Sequence, residues 1–174
     1  YELRLTSELS SRERLLRCWG KTGQHEQEFH PAIYHMMDVA HVALSLLSNS
    51  SSRWSMVLSR ALNAINSELL DWLPWVIAMH DIGKISVPFQ AQNAEQKERL
   101  SDEGFEFGKW RPKDTLHHTD VGRYYLKNEL SGYELPQWFE RAWTEMIGGH
   151  HGIYGDKSLG DIKRELTIGI KEPE

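Results

Sequence analysis

Residues 72–84 read Trp-Leu-Pro-Trp-Val-Ile-Ala-Met-His-Asp-Ile-Gly-Lys, an apolar segment that ends on a histidine and an aspartate in direct succession. An ionised carboxylate placed at the end of such a segment is costly to bury unless it is paired, hydrogen-bonded or bound to a cation. Any fold that accepts this run must therefore bring partners for His80 and Asp81 from elsewhere in the chain. The rest of the sequence can be searched for them.

The surroundings are helical in period. Residues 30–47 carry Ile33, Met36, Met37, Ala40, Leu44 and Leu47 at steps of three and four, with Pro31 suited to a first helical turn. The serine-rich stretch at 48–52 breaks that helix. The spacing of Trp54, Val57, Leu58, Ala61, Leu62, Ile65 and Leu69 predicts a second over 53–70. Asp71 could cap a third, with Pro74 near its first turn and Gly83 just past its end, which puts His80 and Asp81 in its last turn. Residues 86–114 read as an irregular excursion around one short charged helix. Residues 115–130 and 136–147 are again helical in period, and the tail after Gly152 has no strong pattern. With no β alternation and no internal repeat, the expected class is all-α, a helical bundle forming one domain over residues 1–174.

Composition narrows the setting. Lys and Arg number 20 against 25 Asp and Glu, a formal net charge of −5, which speaks against gripping nucleic acid by bulk charge alone. A single cysteine, Cys18, excludes an intrachain disulfide, is expected to be a buried apolar residue, and favours a reducing, cytoplasmic setting. No apolar run is long enough for a membrane span, so no membrane partner is expected. The first residue is Tyr1, so the numbering is expected to begin inside a longer gene product.

Nine histidines are present, and several stand at helix ends or on one face of apolar helices. A lone histidine of that kind is ordinarily a hydrogen-bonded core residue; a set of them suggests a metal site. The candidate set is His35, His80, Asp81, His118, His150 and His151. Imidazoles give neutral nitrogen donors, and a carboxylate has two oxygens with which to bridge two cations. Such a dinuclear centre suits phosphoester hydrolysis, with a local charge of roughly +3 that draws a phosphodiester to an otherwise acidic chain. Lys84, one turn beyond the pair, could meet a phosphate oxygen as a point charge, or be a solvated lysine at a helix C-terminus. Nitrogen-rich ligation favours Mn, Fe, Co or Ni, with Mg as a further candidate.

The ordered set Trp-Gly-Lys-Thr-Gly at 19–23, the His35 helix, Met-His-Asp-Ile-Gly-Lys followed by Phe89-Gln90, His-His-Thr-Asp-Val-Gly at 117–122 and Gly-Gly-His-His-Gly at 148–152 resembles the HD superfamily of metal-dependent phosphohydrolases. More narrowly it is similar to the HD nuclease domain of the CRISPR-associated helicase-nuclease of type I systems, from about Trp19 to Gly152. The resemblance implies an HD-domain bundle with a central metal site. It makes His35, His80, Asp81, His118, His150 and His151 the metal ligands, with Asp81 as the bridge. Lys84 becomes an aid at the phosphate. It further implies cleavage of single-stranded DNA after an RNA-guided surveillance complex recruits the enzyme, alongside a helicase domain of the same polypeptide or a separate subunit, this chain being the N-terminal part. His118 rather than its neighbour His117 takes the family position, leaving His117 as a cap or supporting residue.

Two features depart from that pattern. Family members carry a further aspartate ligand in a later helix, and nothing after Gly152 matches it; Asp156 and Asp161 lie too close to the paired histidines. The helicase motor, with its phosphate-binding loop, is also absent. Two alternatives therefore stand beside the nuclease: an HD phosphohydrolase of nucleotides or cyclic dinucleotides, and a docking module with an incomplete metal site. Asp38 could orient a ligand imidazole or be a plain helix residue, and His25, His30 and His41 are taken as structural. Of the seven tryptophans, Trp54, Trp72, Trp75, Trp138 and Trp143 are expected in the core, while Trp110 in its loop is a candidate for base stacking or partner docking.

Overall fold

The computed structural model of the chain describes residues 9–23, 28–110, 116–152 and 157–170, and the side chains of the last helix as far as residue 167. Helix α1 (Ser11–Arg17) is closed at its start by Ser10 and Glu13, each side chain bonded to the other's backbone N–H. An antiparallel hairpin of β1 (Trp19–Thr22) and β2 (Phe29–Pro31) follows, the one departure from the all-helical expectation among the described residues. Its strands are too short for alternation to show. Helix α2 (Ala32–Ser48) then runs from Pro31 across the molecule.

The stretch expected as one helix over 53–70 is two, α3 (Arg53–Leu62) and α4 (Asn66–Ala78). Asn63, in the left-handed region at φ 50°, ends the first. The second opens where the Glu68 carboxylate accepts from the Ile65 N–H. Asp71 therefore lies inside α4 rather than capping it, and Pro74 sits in the helix interior. A 3-10 turn, Met79–Ile85, continues α4 and carries His80 and Asp81. After α5 (Val87–Gln90) and α6 (Ala94–Asp102) come α7 (His118–Leu130) and α8 (Gln137–Gly149), close to the predicted spans. The tail forms a further helix, α9 (Leu159–Ile170), where the sequence showed no pattern. It is docked by Ile162 and Leu166 one turn apart, too few residues to stand out against the glycines around them.

Three apolar clusters hold these elements. The largest joins Cys18 and Trp19 of the hairpin end to Phe89, Leu100, Val121, Ile162 and Leu166; a second packs Val76 against Leu126, Trp143 and Ile147; a third sets Leu47 on Leu69 and Leu73. On α2 the buried residues are Ala32, Met36, Ala43 and Leu47, whereas Met37 and Leu44 of the expected stripe are exposed. The tryptophan expectations reverse at several positions. Trp110 is buried in the largest cluster rather than presented for stacking, while Trp54, Trp75 and Trp138 are more than half exposed. Trp143 is in the core as expected. The 3-10 turn lies among α2, α4, α5, α7, α8 and β1, so residues distant in sequence meet at it. No helix among the described residues is long and apolar enough to cross a membrane.

Candidate metal centre

Asp81 leaves helical geometry at φ −108° and ψ 16°, which turns its carboxylate inward; the residue is 2% exposed. The turn can approach α7 because residue 83 is glycine. A Cβ there would lie 1.9 Å from the His118 carbonyl oxygen and 2.6 Å from the Gly122 nitrogen, well inside van der Waals contact. The same close approach brings His118, the first residue of α7, to the carboxylate.

The two carboxylate oxygens face different partners. Oδ2 lies 3.1 Å from His35 Nε2, 3.1 Å from His80 Nε2 and 2.7 Å from Lys84 Nζ. Oδ1 lies 3.2 Å from His118 Nε2 and 3.3 Å from His150 Nε2. His151 Nε2 stands 3.1 Å from His118 Nε2. The sequence candidates thus all converge, in two sets that share Asp81: His35 and His80 on one side, His118, His150 and His151 on the other.

Local structure orients the rings. His80 Nδ1 donates to the Ile77 carbonyl at 2.9 Å, and His150 Nδ1 donates to the Ile147 carbonyl at 2.7 Å, three residues back in each case. That bond places the proton on Nδ1 and leaves Nε2 with its lone pair directed at the cluster. His117 does the opposite. Its Nδ1 accepts from the Thr119 hydroxyl and N–H at the start of α7, so it caps the helix and stacks on His118 with ring centres 4.6 Å apart. Asp38 pairs with His30 at 3.0 Å instead of orienting a cluster imidazole, and His41 bonds the Met37 carbonyl. His25 and Asp156 lie outside the described residues. Asp161 is taken up at the start of α9 by Ser158 and Arg164, so it adds no carboxylate to the cluster.

Burial would push the Asp81 carboxyl up, but the imidazoles of His118, His150 and His80 and the Lys84 ammonium gathered around it outweigh that and hold it well below the usual carboxylate range. Burial sets His118 below the ordinary imidazole value, and burial together with Lys21 does the same to His35. For His150 burial acts downward too, but the facing Asp81 carboxylate and the Ile147 carbonyl prevail and raise it.

The residues present fit divalent cations. Asp81 Oδ1 and His150 Nε2 are buried with no hydrogen-bond partner, and two imidazole nitrogens face each other at 3.1 Å. Lone pairs in that arrangement repel unless a proton or a cation sits between them. Three or more N and O donors gathered within 4.8 Å of one another, on each side of a shared carboxylate, are a donor set for borderline divalent metals.

Sequence reasoning gave no role to Phe89 and Gln90, although both stood in the quoted pattern. The Phe89 ring lies 5.5 Å from His118 and under the Lys84 ammonium at 5.7 Å. Only the turn's three-dimensional path brings them there.

Comparison with known proteins agrees with this geometry. The family described as "Cas3, HD domain" matches residues 19–171. A CRISPR-associated endonuclease/helicase Cas3 of Thermus thermophilus is 31% identical over 145 residues, 83% of this chain and 15% of that protein. The Escherichia coli protein of the same name is 28% identical over 180 residues, 86% of this chain and 19% of that protein. The chain thus spans less than a fifth of the length of either relative. No solved structure matches. With a family match running from the hairpin through the last helix, around a buried aspartate flanked by histidines, this chain belongs to the Cas3 HD-domain family.

Proposed function

We propose that this chain is a metal-dependent nuclease domain that hydrolyses phosphodiester bonds of single-stranded DNA in CRISPR interference. It acts as the N-terminal part of a longer helicase-nuclease recruited by an RNA-guided surveillance complex. One observation carries the reading: four histidines, His35, His80, His118 and His150, face the two oxygens of one buried carboxylate, and a fifth, His151, faces His118. The names of the long relatives, endonuclease and helicase, support the assignment of substrate and partner.

In this reading His35, His80 and Asp81 would hold one divalent cation, and His118, His150, His151 and Asp81 would hold the other. Mn, Fe, Co or Ni suits the nitrogen donors better than Mg. Such ions, when bound, polarise the phosphoryl group, activate water and stabilise the attacking and leaving oxygens. The protein's own part is positional. Asp81 spans the two donor sets, and the Ile77 and Ile147 carbonyls hold His80 and His150 in the tautomer that presents Nε2. Lys84, 2.7 Å from Asp81 Oδ2, is a mobile charge on a flexible stem that can pass from the carboxylate to a phosphate oxygen.

The test is cleavage of a circular single-stranded DNA by protein loaded with Mn or Co, against a small phosphodiester and a nucleotide. Chelation should stop cleavage of the circle, and metal return should restore it. Hydrolysis of only the small substrates would replace the nuclease with a nucleotide phosphohydrolase. A second reading, a docking module, is favoured by the single carboxylate in the cluster among the described residues. Metal content clearly below one ion per chain, in protein purified without chelator, would support it over catalysis.

A further inference from the structure

Gln90 is a fully buried side-chain amide at the end of α5, next to the turn that carries Asp81 and Lys84. All of its amide contacts are to backbone. Oε1 accepts from the Trp19 N–H at 3.0 Å, and Nε2 donates to the Trp19 carbonyl at 2.8 Å and to the Lys84 carbonyl at 2.7 Å. The orientation is set by these partners, because the reversed amide would place its oxygen against two carbonyl oxygens. The Trp19 indole N–H donates to the Gln90 carbonyl at 3.2 Å, which ties strand and helix together a second time. The Lys84 carbonyl lies near the end of the 3-10 turn, where the turn itself offers few donors. Gln90 closes it.

We propose that Gln90 is a positioning residue for Lys84, clamping the lysine backbone to β1 so that its ammonium stands between the Phe89 face and Asp81 Oδ2 rather than in solvent. The inference rests on the reading of Lys84 as the residue that meets the phosphate. Two distances give it geometry: Nζ is 2.7 Å from Oδ2 and 5.7 Å from the Phe89 ring centre. A four-carbon stem has many rotamers, so a small shift of its backbone redirects the ammonium. Fixing the carbonyl of the same residue is the most direct restraint available to a neighbouring side chain.

The experiment is a double-mutant cycle on metal-loaded protein with single-stranded DNA as substrate, using Gln90→Met and Lys84→Ala singly and together. Gln90→Met should lower kcat by about 10-fold or more, in the range found for residues that orient a functional group. KM and the number of bound metal ions should stay within about twofold of the parent protein. In the Lys84→Ala background the same substitution should lower kcat by less than about twofold, because the group it positions is gone. Leu47→Ala, a core change in the separate cluster of α2 and α4, provides a variant of lowered melting temperature and should keep kcat. Should Gln90→Met fail to fold, Gln90→Asn keeps an uncharged amide beside Trp19 and, one methylene shorter, loses the reach to the Lys84 carbonyl. An unchanged kcat in the Gln90 variant, or an equal loss in both backgrounds, overturns the proposal. An unchanged kcat in Lys84→Ala alone overturns the underlying role of Lys84, and the two failures are told apart by that single variant.

Discussion

The two sides of Asp81 are built differently. At Oδ2 the carboxylate already has a cation, the Lys84 ammonium, beside His35 and His80. Among the described residues only imidazoles approach Oδ1, Oδ1 and His150 Nε2 lack hydrogen bonds, and His118 faces His151 nitrogen to nitrogen. One side is electrostatically close to satisfied and the other is not. A cation arriving at the Oδ1 side relieves buried groups that nothing else serves, and meets four donors rather than three. On the proposed function the comparison predicts that metal should bind in two steps, tighter at His118, His150 and His151 and weaker at His35 and His80. The absence of a late carboxylate from the described cluster fits that order.

The largest effect should come from removing what the sides share. Asp81→Ala takes an oxygen from both donor sets, so bound metal should fall to near zero by elemental analysis. Metal-dependent cleavage should drop by at least roughly 10³-fold, the upper range for loss of a single group that stabilises reacting charge. Cleavage that persisted would remove Asp81 as the bridge.

Next comes the join between the turn and α7. Gly83→Ala would drive a methyl group into the His118 backbone, and helices cannot separate there without opening the core around Val121. The expected loss is about 3 kcal/mol or more, at the upper end of overpacking costs, read from denaturant unfolding. A variant of parental stability would show that α7 stands off more freely than this close approach implies.

A smaller effect separates the sides directly. His118→Ala should abolish the tighter step of a calorimetric metal titration, lowering its affinity by about 100-fold. His35→Ala should leave that step and erase only the weaker one. The reverse result would invert the comparison.

The smallest effect is a pH slope. His150 is raised and His118 lowered relative to an ordinary imidazole. His150 therefore holds the proton that metal must displace more firmly than an ordinary imidazole does, and His118 less firmly. Affinity on the Oδ1 side should rise with pH until His150 has lost its proton and then flatten. Metal binding should release up to about one proton per chain, measured by calorimetry in buffers of different ionisation enthalpy. Substituting His150 should flatten the slope, and His35→Ala should not.

Much of the candidate site was legible in the chain because histidines recurred at helix ends, and an aspartate closing an apolar run called for partners from elsewhere in the chain. Asp38 misled for an equally local reason. One turn after His35 it could have faced that ring, but helix rotation carries it to His30 instead. The tryptophans were the least legible. Trp75 and Trp143 carry the same chemistry at helical spacing, yet one is 54% exposed and the other 5%, because periodicity identifies a stripe without saying which neighbour covers it. Trp110 looked like a loop residue and is core, since its loop folds back over α6 and its carbonyl receives the Lys97 ammonium at 2.7 Å. The end of α9 was hidden because two buried residues make a weak pattern.

By itself the sequence determined the helical class and the residues with donors able to bind metal, because these follow from donor chemistry and local spacing. The tertiary structure decided which oxygen of Asp81 each histidine meets, that His118 and not His117 turns inward, and that Gln90 reaches the Lys84 carbonyl. Those are relations between segments dozens of residues apart, and the direction of a side chain across such a gap depends on how helices rotate and how closely they approach, which neither periodicity nor motif order encodes.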